Sequence, residues 1–192
     1  MKDENRTHGK NSKPTPAQQP KITSRKLPLN LAKRYIAKEF KVVALRDLPI
    51  SEALSVIETP PQAAEYWRLN IATHPYFNRE CECLAVLILN TRLRVKGHAM
   101  VTIGTMNTML AHAREVFRTA VVASAHAIIL MHNHPSGEAI PSDADINTNR
   151  KMVKAGNILG IEVLDHLIVT DQNPACPKGY SSLRELGYFA GR

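Results

Sequence analysis

Apolar runs alternate along the chain with stretches whose apolar positions recur at helical spacing. Residues 82–89 are apolar after the first position and predict a strand that is covered on both faces. A second buried strand is predicted over 127–131, where the sequence reads Ala-Ile-Ile-Leu-Met. We predict further strands over 93–100 and 161–170 and helices over 61–73, 111–124 and 142–159. Strands that alternate with helices indicate an α/β fold, a mixed sheet flanked by helices.

The first 59 residues differ from the rest in composition. Residues 1–26 are rich in polar and charged side chains and poor in apolar ones, which predicts a disordered tail. Residues 27–59 hold short apolar groups that predict a strand at 41–45 and another short element within 48–57, and we interpret this segment as an arm or linker. Two adjacent prolines begin the predicted domain, 60–192, and we expect a terminal turn and short helix over 181–189.

Basic residues are concentrated at the N-terminus. The chain carries a formal net charge of +8, and residues 1–41 contain eleven basic and three acidic residues, which accounts for the whole excess. A basic arm can add nonspecific affinity for nucleic-acid phosphates, and a tail that only improves solubility is the alternative. The candidate contacts to DNA are Lys21, Arg25, Lys26, Lys33 and Arg34.

The cysteines and the hydropathy limit the class of protein. There are three cysteines, and the pair Cys81 and Cys83 has no second pair with which to complete a zinc site. An odd number of thiols indicates a reducing compartment, so we expect a cytoplasmic protein. We expect no membrane partner, because no apolar stretch approaches the roughly 20 residues that span a bilayer and no secretory signal is recognisable.

The segment that follows the buried run 127–131 carries the candidate chemistry. Side chains at i and i+2 of a strand share a face, so His132 and His134 point the same way. A loop with two prolines and a glycine then leads to Ser142, which opens a helix, and Asp145 lies one turn inside that helix. Two histidines and a carboxylate, with one position left for water, are a usual set of ligands for a catalytic zinc. The alternative is that Ser142 and Asp145 form only a capping box.

The spacing His-x-His, seven residues, then Ser-x-x-Asp resembles the JAMM signature of the JAB/MPN metalloproteases. The fuller form, His-Asn-His-Pro-Ser-Gly with Pro-Ser-x-x-Asp, is similar to the RadC branch of that family. The resemblance extends from about residue 82 to about residue 188. It includes the segments 104–107, 114–117, 164–169 and 181–187.

This resemblance implies a cytidine-deaminase-like mixed sheet with zinc at one edge. It implies that His132, His134 and Asp145 bind Zn²⁺ and that Glu82 is the general base, with Glu80 as its rival. In the mechanism that follows, the Ser142 hydroxyl donates a hydrogen bond to the oxyanion of the tetrahedral intermediate. A peptide or protein substrate, and therefore a metallopeptidase or isopeptidase, follows from the JAMM resemblance alone.

Two other classes of function stay open at this point. The basic tail and the association of RadC proteins with DNA repair favour a nucleic-acid-binding factor, whereas many MPN domains are non-catalytic interaction modules. The roles of Asp165 and His166 are also open, since His166 fits either a partner of a metal ligand or a packed core residue. We expect His98, His112 and His126 to take no part in metal binding, because they have no ligand spacing with one another.

Overall fold

A mixed five-stranded sheet organises residues 43–105 and 111–189, the part of the chain that the computed structural model describes. Its strand order is β2-β1-β3-β4-β5, and only β3 and β4 are parallel. The strands are β1 (Glu82–Leu89), β2 (Val95–Thr105), β3 (Ala127–Asn133), β4 (Glu162–Val169) and β5 (Tyr180–Ser182). With helices packed on the sheet, this confirms the predicted α/β class.

In the described part of the chain, three helices flank the sheet. They are α1 (Pro60–Tyr66), α2 (Ala113–Val122) and α3 (Asp143–Leu159). The first helix continues as a π-helical turn over Trp67–Ile71, and a short 3₁₀ turn (Glu52–Leu54) precedes it. The first helix begins with a capping box, in which Thr59 is the N-cap and its backbone N–H donates to Gln62 Oε1. The last helix ends at Gly160, whose φ of 67° explains why the sequence places glycine there.

The two faces of β1 are buried against different helices. Cys83, Ala85 and Leu87 pack with α1 and Trp67 in one core cluster. Leu84, Val86 and Ile88 belong to a second cluster, which contains the apolar residues of α2 and α3. The continuous apolar pattern of this strand is therefore explained by burial on both sides.

Three predicted elements differ from the structure. The second strand begins two residues later than expected and runs to Thr105, because it stays paired with β1 up to Glu82↔Thr105. The predicted strand at 41–45 is wrong for its described part, 43–45, which forms no regular element. Of the terminal turn and short helix predicted over 181–189, the turn is confirmed and the helix is wrong, since residues 180–182 pair with β4 and turns follow them.

The described part of the predicted arm lies against the domain. Val56 forms an isolated bridge with Arg94, and Leu54 and Ile57 are buried in the same cluster as α1. The predicted tail at 1–26 and its candidate DNA contacts (Lys21, Arg25, Lys26, Lys33, Arg34) lie outside the described residues. Within the described ranges, no helix combines the length and the apolar character needed to cross a bilayer.

Candidate metal centre

The site forms where β3 ends beside β1 and β4. His132 pairs with Leu84 of β1 and Ile168 of β4, and its side chain is fully buried. His134 lies just past the strand, but its N–H still donates to the Val169 carbonyl at 3.1 Å. The extended backbone that Pro135 favours is therefore kept, and both imidazoles lie on one side of the sheet, as predicted.

Three side chains converge at this strand end. The distance from His132 Nε2 to Asp145 Oδ1 is 3.3 Å, and that from His134 Nε2 to Asp145 Oδ2 is 3.5 Å. The two Nε2 atoms are 3.0 Å apart. One ligand atom from each residue lies within 4.8 Å of the others, so the group could hold a metal ion. The three residues predicted as ligands are thus brought together from a strand and a helix start.

The hydrogen bonds of the two Nδ1 atoms leave the Nε2 atoms of His132 and His134 suited to metal binding. His134 Nδ1 lies 2.8 Å from the Glu138 carbonyl, which only accepts, so Nδ1 carries a hydrogen and, in the neutral ring that binds a metal, Nε2 keeps its lone pair. His132 Nδ1 lies 3.0 Å from Nε2 of the buried His166. Histidines that bind metals usually have the second nitrogen held in this way, so the donor set fits an ion on chemical grounds.

The charges of the site favour an ionised carboxylate. Burial alone raises the pKa of Asp145, but its polar contacts with the rings of His132 and His134, the charge of His132 and the hydrogen bond from the Ser142 hydroxyl together hold it well below its usual range. Burial lowers the pKa of His134, but its hydrogen bonds to Asp145 and the Glu138 carbonyl, with the nearby charges of Asp145 and Glu82, outweigh this and raise it. A cation at this position would therefore meet an anionic ligand.

Ser142 and Asp145 form a capping box at the start of α3, the structural role predicted as the alternative to a role in the site. Its hydroxyl accepts from Asp145 N–H at 3.2 Å, and its N–H donates to Asp145 Oδ2 at 2.8 Å. The hydroxyl also donates to the same Oδ2 at 2.6 Å. Because all three bonds hold Asp145, its Oδ1 is left facing His132. The oxyanion role of Ser142 stays a prediction.

Glu82 and Glu80 have different surroundings. Glu82 is the first residue of β1 and is half-buried, and Leu84, two residues on, pairs with His132. By the alternation of side chains, Glu82 lies on the face that carries both histidines. Glu80 is exposed in the turn before the strand, so the same alternation does not place it on that face. This arrangement favours Glu82 over Glu80 as the base.

Asn133 has a role that the sequence did not reveal. Its Oδ1 accepts from Cys83 N–H at 2.8 Å, and its Nδ2 donates to the Cys81 carbonyl at 2.9 Å. The regular pairing of β1 with β3 extends only to Leu84↔His132, so this amide continues it with side-chain bonds. Those bonds are made to both neighbours of Glu82 and fix the strand start next to the site.

The other histidines lie elsewhere. His98 Nδ1 is 3.0 Å from the Tyr66 hydroxyl, and burial, followed by the charges of His74 and Arg46, lowers the pKa of His98 to about 4. Within 43–105 and 111–189, His132, His134 and Asp145 form the single group that could hold a metal. A cleft of about 410 Å³ adjoins His134 of this group, and its lining also contains Trp67, Phe77, Arg68 and Arg79.

Fold and site define an α/β domain with a His-His-Asp group, capable of binding a metal ion, at the edge of a mixed sheet. Residues 57–188 match the family model of the RadC-like JAB domain. The chain belongs to this family, which confirms the resemblance found in the sequence.

The chain is also similar to curated bacterial proteins. It is 41% identical over 135 residues to a UPF0758 protein of Staphylococcus carnosus, covering 69% of this chain and 54% of that one. It is 47% identical over 106 residues to UPF0758 protein STH371 of Symbiobacterium thermophilum, covering 55% and 43%. It is 57% identical over 83 residues to a UPF0758 protein of Moorella thermoacetica, covering 43% and 36%. The chain thus spans about half the length of the curated relatives it matches.

Proposed function

We propose that this protein is a zinc-dependent hydrolase of the JAMM type that acts as a metallopeptidase or isopeptidase on a peptide or protein substrate. The observation that carries the proposal is the convergence of His132, His134 and Asp145, whose ligand atoms lie within 4.8 Å of one another. Membership of the RadC-like JAB family supports it. The amide bond as target rests on the family resemblance.

The donor set favours zinc. Two imidazole nitrogens and a carboxylate oxygen, with a position left open, are a usual environment for a catalytic Zn²⁺. Held by His132, His134 and Asp145, zinc would supply Lewis-acid chemistry and lower the pKa of a water molecule from about 15.7 toward about 7. The cleft beside His134 provides space for a substrate.

The protein's own residues would handle the protons. Glu82 lies on the face of the two histidines, and in this proposal its carboxylate accepts a proton from the attacking water and passes it to the leaving amine. The Ser142 hydroxyl donates to Asp145 Oδ2 over an Oγ–Oδ2 distance of 2.6 Å, so it would donate to the oxyanion only after its hydrogen turns away from that carboxylate. Asp145 would stay ionised throughout, because its pKa is held low.

A peptide-library assay with matched variants tests this function. Wild type should contain about one zinc per chain and cleave peptide or isopeptide bonds. Glu82→Gln should keep the zinc and lose about a hundredfold or more in rate, because the base is removed. Glu80→Gln should cleave like wild type, since Glu80 is exposed in the preceding turn. A zinc-free wild type, or equal rates for wild type and Glu82→Gln, would contradict the proposal.

A second candidate is a DNA-binding factor, favoured by the concentration of the net charge in residues 1–41. It predicts DNA affinity that falls steeply with salt and is lost when these residues are deleted. Salt-independent binding, or binding that survives the deletion, would reject this role for the tail.

A non-catalytic interaction module stays a prediction, and a folded wild type that neither binds zinc nor cleaves peptides would favour it. A cytoplasmic location also stays a prediction.

A further inference from the structure

His166 is buried directly behind the metal site. The parallel register pairs Leu130 of β3 with His166 of β4, so the His166 side chain lies on the sheet face that also carries His132. Both side chains are fully buried. The His132 Nδ1 and His166 Nε2 atoms are 3.0 Å apart, which is a hydrogen-bond distance.

The direction of this hydrogen bond determines whether His132 can bind a metal. If His166 donated, the neutral His132 ring would carry its hydrogen on Nε2, the atom that faces Asp145 Oδ1. A protonated Nε2 has no lone pair for an ion. If His132 donates from Nδ1, its Nε2 keeps the lone pair and can be a ligand. An acceptor at the position of His166 Nε2 therefore favours metal binding by His132.

We propose that His166 is a positioning residue whose Nε2 accepts the Nδ1–H of His132, and so keeps His132 Nε2 unprotonated and directed at the metal position. This inference rests on the proposed metal site and deepens it. It assigns a role to a residue that binds neither the ion nor the substrate directly.

The surroundings of His166 hold it rigidly in this position. Its backbone N–H donates to Asp165 Oδ1 at 2.7 Å, and its carbonyl accepts from Leu183 N–H at 3.0 Å. Asp165 is fixed in turn by the Ser182 hydroxyl at 2.6 Å. Among the described residues, His166 Nδ1 has no hydrogen-bond partner, so the bond to His132 is the one polar contact of the ring. The C-terminal strand thus supports the metal site through Asp165 and His166.

Zinc affinity measured by competition with a chromophoric chelator tests this proposal without any substrate. His166→Phe keeps a ring but removes the acceptor, and should weaken zinc binding by about 10- to 100-fold. His166→Gln places an amide oxygen near the original Nε2 and should restore most of the affinity. His98→Phe removes another histidine that is hydrogen-bonded inside the protein, to Tyr66, and should bind zinc like wild type.

A spectroscopic measurement provides an independent readout. Long-range ¹H–¹⁵N spectra of zinc-loaded wild type should show His132 and His166 both protonated at Nδ1. Thermal unfolding of each metal-free variant verifies that it is folded. If His166→Phe does not fold, the wild-type spectra alone test the proposal, because they show which nitrogen of His166 is protonated. Wild-type affinity in a folded His166→Phe, or His166 protonated at Nε2 in the loaded protein, would overturn the proposal. A wild type that binds no zinc would instead remove the proposed function, and this inference with it.

Discussion

At the scale of single residues, the site depends on how Asp145 is oriented. The carboxylate accepts two hydrogen bonds from Ser142 at Oδ2, from its backbone N–H and its hydroxyl, and faces His132 with Oδ1. A helix cap normally contributes only to stability. Here the same contacts also determine which oxygen is available to an ion.

Ser142→Ala should therefore affect both folding and metal binding. We expect a loss of about 1 kcal/mol in the free energy of unfolding, because the N-cap is removed, together with weaker zinc binding. The matched control is Thr59→Ala, which removes the hydroxyl of the N-cap residue of α1 and its hydrogen bond to Gln62 Oε1, and should change stability without changing zinc affinity. Denaturant unfolding and chelator competition measure the two effects. Unchanged zinc affinity with a lower cleavage rate would instead favour the oxyanion role.

His98 should make stability depend on pH. Its pKa is lowered to about 4 in the folded protein, whereas the unfolded chain takes up the proton near 6.5. The unfolded state then binds more protons between these values, so stability is lost as the pH falls from about 6.5 toward 4. We expect a contribution of about 1 to 2 kcal/mol, less than the full shift because the ring is not completely buried. Urea unfolding of His98→Gln should show a weaker pH dependence than wild type, and parallel curves would contradict this.

At this scale, much of the site followed from local sequence. Strand alternation placed His132 and His134 together, and the short motif placed Ser142 and Asp145 at a helix start. The contacts of Asn133 and His166 could not be found in this way. They depend on the pairing of β3 with β1 and β4, which are about 40 residues before it and 30 residues after it in the chain.

At the scale of elements, Asn133 joins the end of β3 to the start of β1. Asn133→Ala should leave the Cys83 N–H and the Cys81 carbonyl without these partners, which costs about 1 to 3 kcal/mol. Because the freed segment carries Glu82, we also expect slower cleavage, while zinc affinity stays near that of wild type. Unfolding, chelator competition and peptide cleavage give the three quantities.

Asn90→Ala is the control for this variant. Asn90 Oδ1 accepts from the backbone N–H groups of Arg92 and Arg94 in the turn after β1, at the opposite end of the strand from Glu82. We expect a loss of stability without a specific loss of rate. If both variants slow cleavage equally, the positioning of Glu82 by Asn133 is refuted.

The boundaries of elements were predicted well where the chain itself encodes them. Gly160 ended α3 as expected, and Ser142 began it. The strand β5 was missed because three residues carry too little pattern, and their pairing with β4 and the contact between Ser182 and Asp165 determine their conformation. The full length of β2 was missed for a similar reason, since β1 continues to pair with it up to Thr105.

At the scale of the whole molecule, the strand order of the sheet brings the residues of the site together. β1 is covered on both faces, and β3 lies between it and β4 at the centre of the sheet. The α/β class followed from the alternation of apolar patterns. The strand order itself did not, because periodicity gives the faces of an element and not its neighbours.

Zinc should stabilise the whole fold if it binds only the folded state. At a free zinc concentration of 100 times the dissociation constant, the expected gain is about 2.7 kcal/mol. Chelator treatment should reverse the gain, and Asp145→Asn should abolish it, because the amide lacks the charge that the site supplies. Thermal unfolding with and without zinc measures this effect, and equal gains for wild type and Asp145→Asn would place the zinc elsewhere.

The central claim is that His132, His134 and Asp145 bind one metal ion together. Its most direct test is the metal content of purified wild type and of a His132→Ala, His134→Ala double variant, measured by mass spectrometry after equilibration with zinc and removal of excess ion. We predict about one zinc per chain for wild type and none for the folded variant. A wild type without zinc, or a variant that retains it, would contradict the account.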